Sequence, residues 1–362
     1  MEFGIWSNGF RPHTSAARTY EEDLFEIVLA DQLGFRDAYI SEHHGESVYL
    51  DKVDILPAPE LLMCKAAALT KHIRMGAAIK IAHLQHPVDV AIQAAVTEHL
   101  LGQGRFIFGF GSGVPAAVFS EERGLTYEDR HERLQESLEF ILKCWTSTEP
   151  FDWNGKHWKG KGVVAWPRPA SQPHMPMATA TDSDGMLKYC GENGHTLLSA
   201  FLEPADRLKA KAEKYCAAAQ AAGRPNPRRN ISVSRYIYIA DSKKQAMDEL
   251  RESANFELSF QAKRGLLHFA RNVYKLPIQG DTITIEDMVE GGCYTIGSVD
   301  DVTEQVLKHY ENSGGFGTLL LIAGKEWADR EKRAKSMRLF MEQVAPRLRH
   351  LDPVDAEVLS TA

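Results

Sequence analysis

Short apolar runs alternate with longer stretches of helical periodicity along almost the whole chain. Residues 1–6 read as a strand, and 21–33 carry Leu24, Phe25, Val28, Leu29, Ala30 and Leu33 at helical spacing until Gly34 stops the helix. A short run at 37–40 reads as a second strand, and Pro57-Ala58-Pro59-Glu60 opens a helix over 61–70, since a first helical turn tolerates proline. Residues 73–79 read as a third strand, His86-Pro87 starts a helix running to about 101, and 106–110 is a fourth strand. A long amphipathic helix covers 127–145. The Trp- and Pro-rich stretch 151–176 is too apolar for a flexible linker and predicts a packed loop or hairpin. The alternation then resumes, with strands at 177–180, 195–198, 231–240 and 318–322. Helices fall at 185–192, 205–222, from 243, and over 327–348.

About eight strand-like runs, nearly every one followed by a helix, predict an α/β fold of the (β/α)8 TIM-barrel type. An open doubly wound sheet is the competing architecture, but no Gly-x-Gly-x-x-Gly opens a first helix after the first strand. Residues 255–294 fit neither a strand nor a simple helix. They are expected to be an insertion between strands seven and eight, within a single domain spanning 1–362.

Composition changes this picture little. The 362 residues are 44% hydrophobic and 25% charged, which is ordinary for a globular chain. The net charge is −7, with Lys and Arg scattered, which argues against nucleic acid as the main partner. No apolar run approaches the length of a membrane span, and the N-terminus has no basic segment with an apolar signal core. The five cysteines are widely spaced and form no CxxC, as expected for reduced thiols of a cytoplasmic protein.

In a parallel barrel the chemistry gathers where strands end. Those positions hold Trp6, Asn8 and Phe10 after the first strand, and Glu42, His43 and His44 after the second. Lys80, His83 and His86 follow the third, Gly111, Ser112 and Gly113 the fourth, and Thr181, Asp182 and Ser183 the fifth. Such a set suits a large, partly aromatic ligand with a charged group. A metal site is disfavoured, because adjacent histidines on a strand point to opposite faces and no bridging carboxylate is evident. The Thr181-Asp182-Ser183 turn at a helix N-terminus could cradle a phosphate, or Ser183 or Asp182 could simply cap the helix, and Asp182 would repel a phosphate unless turned away. Gly109 to Gly113 could let backbone approach a planar ring, or be a flexible strand exit. Arg130-His131-Glu132-Arg133 reads as a salt-bridged or dimer-facing stripe.

Several stretches together resemble the bacterial luciferase-like flavin monooxygenases. They are Phe3-Gly4-Ile5, Leu33-Gly34-Phe35, Ser41-Glu42-His43-His44, Pro59-Glu60-Leu61, the Thr-Lys-His-Ile-Arg-Met-Gly run at 70–76, His86-Pro87, Gly104-Arg105-Phe106 and Phe108-Gly109. The later stretches Ile296-Gly297-Ser298-Val299, Thr303-Glu304 and Gly314-Gly315-Phe316-Gly317-Thr318 match in the same order. The resemblance is nearest to the limonene and diketocamphane monooxygenase branch. It implies reduced FMN at the carboxyl ends of the strands, a separate NAD(P)H:flavin reductase, O2, a small apolar or cyclic organic substrate, and a homodimer through the first helices. Oxygen would be transferred through a C4a-(hydro)peroxyflavin. By position, it makes His43 the acid/base and Glu42 a carboxylate that holds the flavin or orients His43. Ala77 and Ala78 match small residues whose backbone packs on the isoalloxazine, often near a non-prolyl cis peptide. Thr181, Asp182 and Ser183 fall in the phosphate turn, which tips that turn from cap to phosphate. Gly111 stands where luciferases carry a reactive cysteine and opens space near the flavin. Trp6, Asn8, Phe10, Lys80 and His83 are then assigned to the substrate pocket. A deazaflavin-dependent hydride-transferring oxidoreductase, a non-catalytic flavin-binding barrel and a metal-dependent hydrolase are the alternative readings.

Overall fold

The computed structural model describes residues 1–7, 9, 11, 14–43, 56–113, 128–276, 278, 280–323 and 326–353. Asn8, Phe10 and His44 therefore lie outside the described residues. The strands are β1 (Glu2–Ser7), β2 (Asp37–Ile40), β3 (Arg74–Ala77) with its short continuation β4 (Lys80–Ile81), and β5 (Phe106–Gly111). A small antiparallel hairpin follows, β6 (Phe151–Asn154) with β7 (Lys159–Val163), as expected for the Trp- and Pro-rich stretch. Then come β8 (Met177–Ala180), β9 (Thr196–Leu198), β10 (Ile231–Ile239), β11 (Tyr294–Gly297) and β12 (Thr318–Ala323). Parallel pairing runs β1-β2-β3-β5-β8-β9-β10-β12 and returns from β12 to β1, closing an eight-stranded barrel. β11 adds to the carboxyl half of β10.

Period-two alternation sorts the strand residues between two cores. Phe3 and Ile5 of β1 and Leu319 and Leu321 of β12 face the outer core under the helices. Trp6, Leu320 and Ile322 face the lumen with Tyr39, Ile107, Ala178, Leu198, Tyr236 and Tyr238. The helices are α1 (Ala16–Leu33), α2 (Pro59–Ala67), α3 (Pro87–Leu101), α4 (Arg130–Thr146), α5 (Asp184–Asn193) and α6 (Ala205–Ala221). After β10 come α7 (Lys243–Gln261), α8 (Leu267–Asn272), α9 (Ile285–Glu290), α10 (Val299–Ser313), α11 (Arg330–Leu339) and α12 (Ala345–Leu348). Local signals set their ends. Gly34 closes α1 at φ 81, and a reciprocal Ser298–Asp301 capping box opens α10.

The seam where β1 meets β12 is tied from outside by buried ions. Arg333 of α11 donates to Glu22 at 2.6 Å and to Glu26 at 3.0 Å, and Arg11, which donates to Asp23 at 2.9 Å, lies 3.7 Å from Glu326 beyond β12. Between β10 and β12 the chain is more helical than its sequence suggests. α7 runs to Gln261, and Gly265 at φ 94 breaks the helical path before α8 resumes it. That break obscures the periodicity. The apolar side chains Leu258, Ala270, Leu276, Ile285 and Met288 all pack into the lumen cluster. No described helix is long and apolar enough to cross a membrane.

Candidate active site

At the carboxyl ends of β2 and β4, Glu42 is 7% exposed and Lys80 5%. The Lys80 ammonium lies 3.4 Å from Glu42 Oε2 and 3.2 Å from Glu60 Oε1 on α2, and the Ile81 N–H points to Glu42 Oε1 at 3.5 Å. Burial works against the Lys80 charge, but the two carboxylates outweigh it and hold the ammonium above its ordinary pKa. The Lys80 ammonium is thus held between the buried Glu42 and the half-buried Glu60. His43 is half-buried beside Glu42, and its N–H donates to the Leu56 carbonyl at 2.9 Å. His83, one short turn beyond β4, is 1% exposed. Burial first, then the Arg133, His131 and Arg130 charges, push its imidazole down to about 4, with Glu42 pulling the other way. It is a neutral ring at pH 7.

Small residues floor this end of the barrel. Ala77 ends β3, Ala78 follows it, and the Ala78–Ile79 peptide is cis, where the resemblance placed a non-prolyl cis peptide. Gly109 must be glycine, because a Cβ there would stand 1.6 Å from the Ala77 carbonyl oxygen. A Cβ on Gly111 would meet the Ile79 side chain at 2.7 Å, so β5 meets backbone at Gly109 and makes room for the Ile79 side chain at Gly111. Trp6 lies deeper, 4% exposed, donating to Ser41 Oγ at 3.0 Å with its ring 4.7 Å from that of Phe201.

A cleft of about 500 Å³ opens beside this floor, lined by Gly111 and Ser112, by Thr179 to Thr181 and Ser183, and by the faces of α4 and α5. Ser183 occupies the N-cap position of α5 but makes no side-chain cap hydrogen bond. Its own N–H donates to Thr181 Oγ1 at 3.1 Å. The first amides of α5 therefore face the cleft without the cap that the plainer reading supplied. Asp182 is turned away, its carboxylate 2.8 Å from Arg207 and 3.0 Å from Lys211 of α6. Burial raises its pKa, but those two cations prevail and hold it below the usual carboxylate range. The repulsion that Asp182 threatened is thereby removed.

Two groups of expected residues are brought together. Glu42, His43, Lys80 and His83 gather after β2 and β4, while Gly111, Thr181 and Ser183 line the cleft after β5 and β8. Ala77, Ala78 and Ile79 join the two groups. Sequence reasoning missed the wall supplied by α4. His131, Gln135 and Glu139 recur every four residues and line the cleft with Tyr189 of α5. The Arg130–Arg133 stripe is accordingly not plain surface. His131 faces the cleft, Glu132 pairs with Lys156 at 2.6 Å, and the Arg133 guanidinium stacks 4.4 Å over Trp158. The four-residue spacing was visible, but which face of α4 turns inward was not.

A closed parallel barrel with its polar groups and an uncapped helix N-terminus at the strand ends has the build of a barrel enzyme. The chain belongs to the luciferase-like monooxygenase family, whose profile matches residues 1–316. It is 30% identical over 352 residues to 4-hydroxyprotoasukamycin monooxygenase of Streptomyces nodosus subsp. asukaensis, covering 92% of this chain and 88% of that protein. It is 26% identical to limonene 1,2-monooxygenase of Rhodococcus erythropolis, covering 96% of this chain and 86% of that protein. Among solved structures, the oxygenating constituent of 3,6-diketocamphane monooxygenase from Pseudomonas putida superposes with a TM-score of 0.82. That protein is 26% identical, with 96% of this chain and 98% of that one covered. It is described as a type II Baeyer–Villiger monooxygenase in complex with FMN.

Proposed function

We propose that this protein is a two-component flavin-dependent monooxygenase. It would take reduced FMN from a separate NAD(P)H:flavin reductase and use O2 to oxygenate a small apolar or cyclic organic substrate. The observation that carries this reading is the open N-terminal turn of α5, with the Thr181 and Ser183 hydroxyls at its rim, facing a cleft that leads to the small-residue floor. An anionic tail fits the turn and a planar ring fits the floor. The diketocamphane relative, described as an oxygenating constituent in complex with FMN, supports both the cofactor and the separate reductase.

In this reading Thr181, Ser183 and the α5 amides hold the phosphate, with Asp182 held off by Arg207 and Lys211. Ala77, Ala78 and Gly111 lend backbone to the face of the isoalloxazine. Reduced FMN, when bound, supplies the electrons with which O2 is activated, one oxygen atom going to the substrate and the other to water. His43, half-buried at the end of β2, gives and takes the proton at its imidazole, and Glu42 orients it. Lys80 keeps the Glu42 carboxylate compensated in its buried position. The lumen cluster of Trp6, Phe201, Tyr236, Tyr294 and Trp327 gives the substrate an apolar seat that excludes water. The insertion at 255–294, whose Leu258, Ala270, Leu276, Ile285 and Met288 pack on that cluster, covers it within one barrel domain. A cytoplasmic location accords with five free thiols. A homodimer through α2 and α3 accords with Leu61 and Leu100 standing 73% and 62% exposed there.

The test is anaerobic titration with reduced FMN, followed by aeration in the presence of cyclic ketones and alkenes. Saturable binding and oxygenated product are expected. His43→Ala should bind FMN as tightly as the parent while product yield drops about a hundredfold, in the range that general acid–base groups contribute. Undiminished yield removes His43 from the reaction, and bound reduced flavin that reoxidises no differently from free reduced FMN, yielding only hydrogen peroxide and no oxygenated product, removes the monooxygenase reading itself.

A further inference from the structure

Among the described residues five cationic side chains are buried, Arg11, Lys80, Lys211, Arg235 and Arg333. Four of them sit against carboxylates: Arg11 with Asp23, Lys80 with Glu42 and Glu60, Lys211 with Glu203, and Arg333 with Glu22 and Glu26. Arg235 of β10 is different. It is 4% exposed, and among the described residues no carboxylate pairs with it. One Nη donates to the Gly292 carbonyl, and Nε is buried with no hydrogen-bond partner. Cys293 lies close enough to favour the guanidinium charge, but burial, opposed only by Arg235, pushes that thiol up, so it is neutral. An unpaired buried guanidinium is costly enough that a counter-ion is the expected remedy.

The space for one is present. Arg235 lines a cavity of about 570 Å³, together with Lys243 at the start of α7, Lys308 and His309 on α10, and Pro204 and Ala205 at the α6 N-terminus. Glu290 is the acid among its lining residues. Nothing caps α6 through a side chain, so its first amides add donors on this side. His309 presents a second buried and unpartnered atom, Nε2. Burial and the Arg235 charge push its pKa down to about 3, so it is a neutral donor or acceptor. Arg235 shares the outward phase of β10 with Val233 and Ile237 of the outer core, while Tyr236 belongs to the lumen cluster. The cavity shares no lining residue with the cleft beside α5.

We propose that this cavity, between α6, α10 and the β10–β11 pair, is a second binding site for a small dianion, a phosphate or dicarboxylate group, with Arg235 as its buried anchor. The guanidinium fork engages two oxyanion atoms, Lys308 and Lys243 screen the remaining charge, and His309 donates from the far wall. A dianion seated there would tie α6 and α10 to β10, whose neighbouring residue Tyr236 packs its ring at a tilt against Tyr294 and Trp327 in the lumen.

The test follows thermal unfolding of the full-length protein during titration with inorganic phosphate and, separately, with succinate, in parent, Arg235→Met and Lys308→Glu proteins. Because phosphate could also enter the α5 turn, the quantity read is the difference between parent and variant, which reports the Arg235 cavity whatever the α5 turn binds. Saturable stabilisation of the parent by at least one anion is expected, with apparent affinity at least tenfold weaker in Arg235→Met. Lys308 is an exposed side chain, so Lys308→Glu keeps the test open even where Arg235→Met fails to fold, and it should weaken the same anion. The responding anion defines the class. Identical anion responses in parent and variants, or no response to either anion, would overturn the proposal.

Discussion

Gly109 has the tightest backbone constraint at the candidate site. A methyl group there would overlap the Ala77 carbonyl oxygen at 1.6 Å, and the neighbour is backbone rather than a side chain able to swing aside. Gly109→Ala should therefore destabilise the fold by roughly 3 kcal/mol or more, read as a fall in the urea midpoint. The imidazoles carry the second prediction at this scale. Burial pushes His83 and His195 down to about 4 and His309 to about 3, from an ordinary 6.5. Between those values and 6.5 the unfolded chain binds protons that the folded chain refuses. Stability is therefore whole above pH 6.5 and declines as pH falls toward 4, by up to about 3 kcal/mol for each of His83 and His195. Thermal midpoints measured from pH 7.5 to 4.5 should fall across this window, and His195→Phe should flatten part of the decline. His83 was read from sequence as a pocket residue because it follows a strand. Its burial beneath α4, and hence its neutral state, depends on a helix some fifty residues further on.

At the scale of the element, α5 and α4 decide what the cleft accepts. Gly185, in the first turn of α5, lines the cleft, and a Cβ added there meets nothing closer than Ser183 Oγ at 3.9 Å. Gly185→Glu should leave the fold intact, since an acidic residue suits a helix start better than glycine does. The same change puts a carboxylate where the phosphate is proposed to sit. FMN affinity should fall about tenfold while riboflavin affinity stays level, measured by flavin fluorescence titration. If both ligands weaken equally, the phosphate lies elsewhere. The Thr181–Ser183 turn was legible as a candidate because hydroxyl residues at a strand-to-helix junction are a local signal. Sequence left open whether Ser183 caps α5. The structure answers it by turning Asp182 onto Arg207 and Lys211 and leaving Ser183 without a cap bond.

For the whole molecule, barrel closure and assembly are the governing questions. Closure depends on β12 returning to β1, and the Arg333–Glu22–Glu26 and Arg11–Glu326 contacts clamp that seam between chain segments some three hundred residues apart. Assembly concerns α2 and α3, which leave Leu61 and Leu100 largely exposed. Leu61→Glu combined with Leu100→Glu should convert a dimer to a monomer in sedimentation velocity without lowering the monomer's own stability by more than about 0.5 kcal/mol, since both changes are at exposed positions. A parent protein that sediments as a monomer would remove the dimer.

Alternating strand and helix periods by themselves determined an eight-unit parallel barrel, because each period reflects which side of an element meets water and needs no knowledge of the neighbours. The same local information put Glu42, His43, Gly111, Thr181 and Ser183 at strand ends. Only the tertiary structure decided which of these groups meet. It tied Lys80 to Glu42 and Glu60, brought the His131–Gln135–Glu139 face of α4 over the cleft, and buried Arg235 with no carboxylate paired to it among the described residues. Pairing, desolvation and cavity shape depend on elements far apart in the chain, and no window of sequence contains both partners.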